Sequence, residues 1–387
     1  MNYLIVDLNI QLDGHKIGFV QQTLNWLAKN QPEHKGTFHF LVNAELQIPE
    51  SANIKVEVIK PHTSANFEAK TALKKYKKQW DFIKLKASQF DAQKIILMEF
   101  DIYQVAIGND SKTGFDVSGI WFRPYFRQVS LSKSIITTTK FKIAKWRKQA
   151  MFRLALRNKN LQQIFVLNDR ATVNAINEKH GERLFYLPDP VFDYNITESI
   201  DIRAKYVIEK SKIIFLIFGH IDNRKNVVNI LKSLEALPKE MQSDIVLLMI
   251  GKVAPEYKLT LEEALEKSRC AYQILQNDKF VSDDEMEALF AQSDLILRMN
   301  VNYFASSGII GMAAKYNKPS LVSDYGIVAD LTKEYKLGFE VNPEDTAAIT
   351  KKFAEFINSE NKWKMDGQAY YKDHGTEAFV KTLLDLP

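Results

Sequence analysis

The stretch Ile213–Asn226, IIFLIFGHIDNRKN, constrains the fold of this chain more than any other. Its apolar run from Ile213 to Phe218 suits a strand buried on both faces of a parallel sheet, an arrangement that needs helices on either side. Gly219 then lets backbone amides come close to a ligand, and the helical pattern from Val227 offers the positive end of its dipole. Arg224 and Lys225 stand at the same mouth. An anion such as a diphosphate is the first ligand that this strand, loop and helix suggest.

The same alternation runs through the whole chain. Apolar runs at Tyr3–Val6, Phe38–Val42, Ile54–Ile59, Lys94–Met98, Val117–Phe122, Ile164–Val166 and Leu184–Tyr186 predict the strands of the first half. A polar loop is expected over Asn9–Gly18 and a helix over Phe19–Lys29. In the second half, strands are expected at Ile213–Phe218, Asp244–Ile250, Phe280–Val281, Leu295–Leu297, Ser320–Val322 and Gly338–Val341. Helical spacing lies between them at Val227–Leu237, Leu259–Leu275, Asp283–Ala291, Gly308–Tyr316 and Ala347–Ile357. The class implied is α/β, with mostly parallel, doubly wound sheets. The Gly-x-Gly-x-x-Gly fingerprint follows none of these strands, which disfavours a nicotinamide or flavin enzyme.

A chain of 387 residues exceeds one ordinary core, so two domains are expected. Tyr186-Leu-Pro-Asp-Pro-Val191 holds two prolines that favour extended, rigid backbone and suit an inter-domain entrance. Residues 1–195 and 196–360 are the expected domains. Residues 361–387 form an amphipathic last segment with Trp363, Tyr370, Tyr371, Phe379, Leu383 and Leu384. That segment either returns to the first domain or caps the second.

Charge separates the halves. Residues 1–200 carry 28 basic and 19 acidic side chains, a balance of +9, and the remainder carries 24 and 28, a balance of −4. Two segments concentrate the basic excess, Lys70–Lys86 and Lys140–Lys159, both interleaved with aromatic and aliphatic residues. They could lie on an anionic membrane or hold an anionic acceptor; the alternative is a solvated helix face whose apolar side packs on its own sheet. No nucleic-acid motif accompanies the charge, so no nucleic-acid partner is expected.

Cys270, the single cysteine, excludes an intramolecular disulfide and a cysteine-built metal site, and its helical context predicts buried packing. His34, His39, His62, His180 and His374 show no ligand spacing, and no metal site is expected. No run reaches the roughly 18 to 20 apolar residues of a membrane span. The N-terminal MNYLIVDLNI reads as a strand rather than a signal peptide. A cytoplasmic protein, with peripheral contact at the inner face of the membrane through the basic segments, is the expectation.

Four candidate sites fall where second-half strands end: Gly219–Lys225, Gly251-Lys252, Phe280-Val-Ser-Asp-Asp-Glu285 and Ala305-Ser-Ser-Gly308. The last would open a helix with a nest of amides and hydroxyls for a phosphate. Each has a structural alternative: a helix cap for Ser282, a tight turn for Gly251, close helix packing for Ser306, Ser307 and Gly308.

In this order the motifs resemble the donor-binding half of the family 4-type glycosyltransferases (glycosyl transferases group 1), which have the GT-B fold. Ala291-Gln-Ser-Asp294, Lys318-Pro-Ser-Leu-Val-Ser-Asp324 and Leu337-Gly-Phe-Glu-Val-Asn-Pro-Glu-Asp345 extend the likeness over residues 212–357. Leu187-Pro-Asp-Pro-Val191 resembles the inter-domain entrance of those enzymes, and Gly14-His15 falls where their first strand turns towards the acceptor.

The resemblance implies two Rossmann-like domains facing across a cleft, with the final helix crossing back to the first. It implies a nucleoside diphosphate-sugar as co-substrate, no other cofactor, and a glycan or lipid-linked acceptor on the N-terminal domain. Transfer would be metal-independent and would retain configuration. Donor contacts would come from Gly219, His220, Arg224, Lys225, Gly251, Lys252, Phe280, Val281, Ser306, Ser307 and Gly308. Lys225 would meet the diphosphate, and Arg224 would add a second charge, because His220 stands where the family often has a stronger cation. His15, Arg123 and Asp101 are the candidates for catalytic groups.

One departure stands out. The family usually has two glutamates separated by seven residues, near the donor sugar and the ribose. Here those positions hold Tyr303 and Gly311, or Phe304 and Met312, and no carboxylate occurs between Asp294 and Asp324. Two other classes therefore stay open: a sugar-nucleotide epimerase of the same fold, and a catalytically inactive binding or scaffold protein.

Overall fold

Two parallel sheets organise the chain. The computed structural model describes residues 1–10, 15–30, 36–110, 113–129, 134–268, 271–359 and 363–386; Asp13, Gly14 and Cys270 lie outside them, as do the side chain and packing environment of His15. The first sheet comprises β1 (Asn2–Asp7), β2 (Thr37–Val42), β3 (Ile54–Val58), β4 (Lys94–Leu97), β5 (Asp116–Trp121), β6 (Leu161–Leu167) and β7 (Leu184–Leu187). Its order is β3-β2-β1-β4-β5-β6-β7, every pair parallel. The second comprises β8 (Ile213–Phe218), β9 (Ile245–Ile250), β10 (Gln273–Asn277), β11 (Leu295–Arg298), β12 (Ser320–Ser323) and β13 (Gly338–Val341), in the order β10-β9-β8-β11-β12-β13. All of its pairs are parallel too. Both sheets are thus doubly wound and Rossmann-like.

The chain forms two compact units, residues 1–192 with 376–387, and residues 193–375. In the first, Trp80, Ile83 and Ala87 of the helix Ala72–Gln89 are buried against the sheet, and Trp121 stacks on Phe152 at 4.6 Å. The last helix, Thr376–Leu384, belongs to this unit, with the Phe379 ring 5.4 Å from that of Phe19. In the second unit, β8 has both faces covered, and Phe215 meets Phe353 at 5.2 Å and Phe356 at 5.7 Å. That double cover is why its sequence is apolar at every position rather than at alternate ones.

Three expectations need correction. The helix after β1 spans His15–Lys29, so His15 and Gly18 are helical rather than part of a loop. Gly18 serves close packing: a Cβ there would lie 3.0 Å from the Phe192 ring. Phe280–Val281 is not a strand; the strand is Gln273–Asn277, parallel to β9. Its mixed QILQN sequence belongs to a sheet edge that is only partly covered, which weakens the apolar signal. The preceding helix runs over Pro255–Lys267 instead of Leu259–Leu275, because Pro255 presets the first helical turn.

Candidate functional site

The second sheet reverses its winding between β8 and β11: the chain proceeds outward through β9 and β10, then returns to the other side of β8. Connections leave β8 and β11 in opposite directions, which opens a crevice beyond their carboxyl ends. Gly219, at the end of β8, has φ +90° and donates its amide to the Ile250 carbonyl at 2.9 Å. Gly251, at the end of β9, has φ +136°, and a Cβ on it would lie 2.2 Å from the Gly219 oxygen. Only glycine fits there. His220 and Lys252, the residues that follow, are exposed, and the Ile221 amide donates to the Lys252 carbonyl at 2.9 Å.

Beyond Gly219 the chain makes one tight turn, Asn223–Lys225. Asp222 caps it by accepting from the Arg224 amide at 2.9 Å. The Arg224 side chain folds back on the same carboxylate, with Nε and Nη2 at 2.8 and 2.5 Å from Oδ2. This pairing holds the Asp222 carboxyl below the usual carboxylate range, against the opposing effect of its partial burial. Asn226, at φ +61°, ends the turn and starts the helix Val227–Glu235, and its side-chain Nδ2 donates to the Pro343 carbonyl at 2.6 Å.

Lys225 is buried beneath this turn. Its ammonium donates to the Phe218 carbonyl and makes no ion pair with the described residues. Burial, reinforced by the Arg298 charge, lowers the Lys225 pKa well below the usual lysine value.

Arg298, which sequence reasoning missed, closes β11 at only 6% exposure. Its Nε donates to Ser307 Oγ at 2.8 Å, its guanidinium lies 4.7 Å from the Tyr303 ring centroid, and its Nη1 is buried without a partner. Burial lowers its pKa to about 10. The only trace in the sequence was a lone arginine ending an apolar run.

Ser307 is the N-cap of the helix Gly308–Lys315, yet its hydroxyl faces Arg298 and no side chain caps the helix. The Ser306 carbonyl accepts from the Tyr303 hydroxyl at 3.0 Å. The Val301 amide donates to the Arg224 carbonyl at 2.9 Å, and Arg224 lies 5.6 Å from the Tyr303 ring, so the loops after β8 and β11 form one wall. Gly219, Arg224, Lys225, Ser306, Ser307 and Gly308 are thus gathered with Arg298 and Tyr303. Phe280, 60% exposed, and half-buried Val281 lie on the loop after the edge strand β10. Ser282 caps the helix Asp283–Gln292 by accepting from the Glu285 amide at 3.2 Å.

The first sheet reverses between β1 and β4. Asp101, just beyond β4, accepts from the amides of Phe122 and Arg123 at 2.8 and 2.9 Å, and burial pushes its carboxyl up to about 6. Asp101 and Arg123 are therefore neighbours, with Arg123 exposed. Lys148 feels both charges, and burial lowers its pKa. His15 opens the helix His15–Lys29. Among the described residues no three His, Cys, Asp or Glu side chains group as metal ligands.

Residues 198–373 match the protein family described as Glycosyl transferases group 1. No curated protein matched the sequence. Among solved structures, the chain is similar to WaaG, a glycosyltransferase involved in lipopolysaccharide biosynthesis, at 14% identity over 100% of this chain and 98% of that one, with TM-score 0.63. A UDP-forming α,α-trehalose-phosphate synthase from Burkholderia xenovorans, in complex with glucose-6-phosphate, gives 10% identity, coverage of 99% and 98%, and TM-score 0.71. HepE of Anabaena, in complex with UDP and glucose, gives 14%, 100% and 98%, and 0.65. At such identities the likeness is one of fold, and that fold is GT-B.

Proposed function

We infer that this chain, which carries a glycosyl transferases group 1 domain within a GT-B fold, transfers a sugar from a nucleoside diphosphate-sugar to a glycan or glycolipid acceptor. The observation that carries this reading is the cation cluster at the reversal of the second sheet, where Lys225 and Arg298 are buried without a carboxylate partner. Gly219 and Gly251 clear the backbone for the donor, Lys225 holds the diphosphate, and the Ser307–Gly308 helix start turns its dipole to it. Phe280 offers an exposed ring to the base, with Val281, His220 and Lys252 at the rim. WaaG, described as acting in lipopolysaccharide biosynthesis, and HepE, solved with UDP and glucose, lend the reading support by their fold.

The reaction proposed retains configuration and needs no metal. Fixed cations and helix amides stabilise the charge that develops on the leaving diphosphate, and holding donor and acceptor together lowers the rest of the barrier. The acceptor is assigned to the first unit, with Asp101, Arg123 and His15 as its candidate catalytic groups. Asp101 with its raised carboxyl suits a proton relay, although its two amide bonds also fix the loop after β5.

Peripheral membrane contact is part of the proposal. The helix Ile135–Ala155 exposes Ile135, Ile136, Ile143 and Trp146 among Lys140, Lys142 and Arg147, a mixture that suits an anionic lipid surface. No described helix is long and apolar enough to cross a membrane.

A second reading, a binding protein without turnover, is favoured by the absence of any carboxylate between Asp294 and Asp324. Incubation with UDP-, GDP- and ADP-sugars and a panel of glycan and lipid-linked acceptors separates the two. Release of a nucleoside diphosphate with a glycosylated product supports transfer; tight binding with no product across the panel supports the second reading.

A further inference from the structure

We propose that Arg298, the uncapped start of the Gly308–Lys315 helix and Lys225 together bind the two phosphates of a nucleoside diphosphate, with Arg298 as the second unneutralised cation. The assignment rests on the donor reading above and names the residue that Arg224 was expected to be. Arg224 is already taken: Asp222 holds its guanidinium through two nitrogens. Those two charges cancel, which leaves Lys225 and Arg298 as the buried positive charges of the crevice.

Arg298 is not placed for packing. A buried guanidinium with no counter-ion is strongly destabilising, and an apolar side chain of similar length would fill the same space without that penalty. Its Nη1 has no acceptor, its Nε donates to the hydroxyl of Ser307, and its guanidinium lies beside Tyr303. A serine at an N-cap normally accepts from the helix amides behind it. Here its oxygen accepts from Arg298 instead, so the first helical turn has no side-chain acceptor either. Unpartnered donors of two kinds, a guanidinium and a helix start, therefore converge at one serine. The complementary ligand accepts hydrogen bonds, donates none and carries at least two negative charges, which describes a diphosphate.

The test is calorimetric titration of the full chain with UDP, GDP, ADP and inorganic pyrophosphate, for the wild type, Arg298→Met and Arg298→Lys, with thermal unfolding of each without ligand. Arg298→Met should bind the preferred diphosphate about 10- to 100-fold more weakly, the range for losing a hydrogen bond to a charged group. Arg298→Lys should recover part of the loss. The unliganded Arg298→Met chain should unfold no earlier than the wild type, because a lone buried charge has been removed; earlier unfolding would make Arg298 structural and overturn the proposal. Equal affinity in wild type and Arg298→Met would overturn it while leaving the donor reading intact. Arg298-dependent binding of pyrophosphate without binding of any nucleotide would uphold the anion site and refute the donor reading. A wild type that binds none of the four refutes both.

Discussion

A Cβ on Gly251 would lie 2.2 Å from the carbonyl oxygen of Gly219, so the chain ends of β8 and β9 meet at a distance that no other residue permits. Gly251 also has φ +136°, outside the region that L side chains adopt. Gly251→Ala should lower stability by about 2–4 kcal/mol, since a strained backbone alone costs about 1–3 kcal/mol and the collision adds to it. Gly181→Ala is the control, because its φ is +79° but nothing lies within 4 Å of its Cβ. Urea unfolding of the two variants should separate them clearly, with the Gly181 change the milder.

Lys225 links ligand binding to protons. Its pKa is lowered by burial and by Arg298, and an arriving dianion favours the charged form. At a pH above its lowered value the free protein holds fewer protons than the complex, so binding takes up protons and affinity falls as pH rises. Calorimetry in two buffers of different ionisation enthalpy should report proton uptake for the wild type and much less for Lys225→Met.

Asp101 should imprint the pH dependence of stability. Its carboxyl titrates at about 6 in the folded chain against a reference of 3.8, with burial as the main cause. The folded state therefore binds more protons between those values, and stability from this group is lost as pH rises from about 4 to 6. A two-unit shift corresponds to about 3 kcal/mol. Relative to Asp101→Asn, the wild type should be more stable at pH 4 than at pH 7 by roughly that amount, as measured by urea unfolding at each pH.

The helix Ile135–Ala155 should carry lipid binding. Reversing Lys140, Lys142 and Arg147 to glutamate should weaken sedimentation with phosphatidylserine vesicles at least about tenfold, since each basic residue near an anionic surface contributes about 1 kcal/mol. Trp146→Glu should act in the same direction by removing an exposed ring, 65% accessible, from the same face. Unchanged sedimentation of both variants would leave this helix a solvated surface.

Much of the architecture was readable because buried parallel strands leave a dense apolar trace: β8 reads IIFLIF and occupies the span expected from it. The edge strand β10 leaves no such trace, because its side chains are only partly covered, and the short apolar pair Phe280–Val281 mimics a strand nearby. The start of the His15–Lys29 helix was hidden by Gly18, which reads as a loop residue but serves a close approach to Phe192. In the second-unit site, small residues and glycines were legible because the turns that need them have few substitutes. Arg298 was not, since nothing in the spacing of one arginine says that it ends beneath a helix start. Its partner, Ser307, reads in the sequence as part of a phosphate-binding nest, whereas in the fold its hydroxyl accepts from the guanidinium.

The most direct measurement is a crystal structure of the chain with the nucleoside diphosphate that titration selects. Phosphate oxygens should lie within hydrogen-bond distance of Lys225 Nζ, Arg298 Nη1 and the first amides of the Gly308–Lys315 helix. A nucleotide bound with its phosphates away from all three, or no nucleotide at concentrations well above the measured Kd, would contradict this.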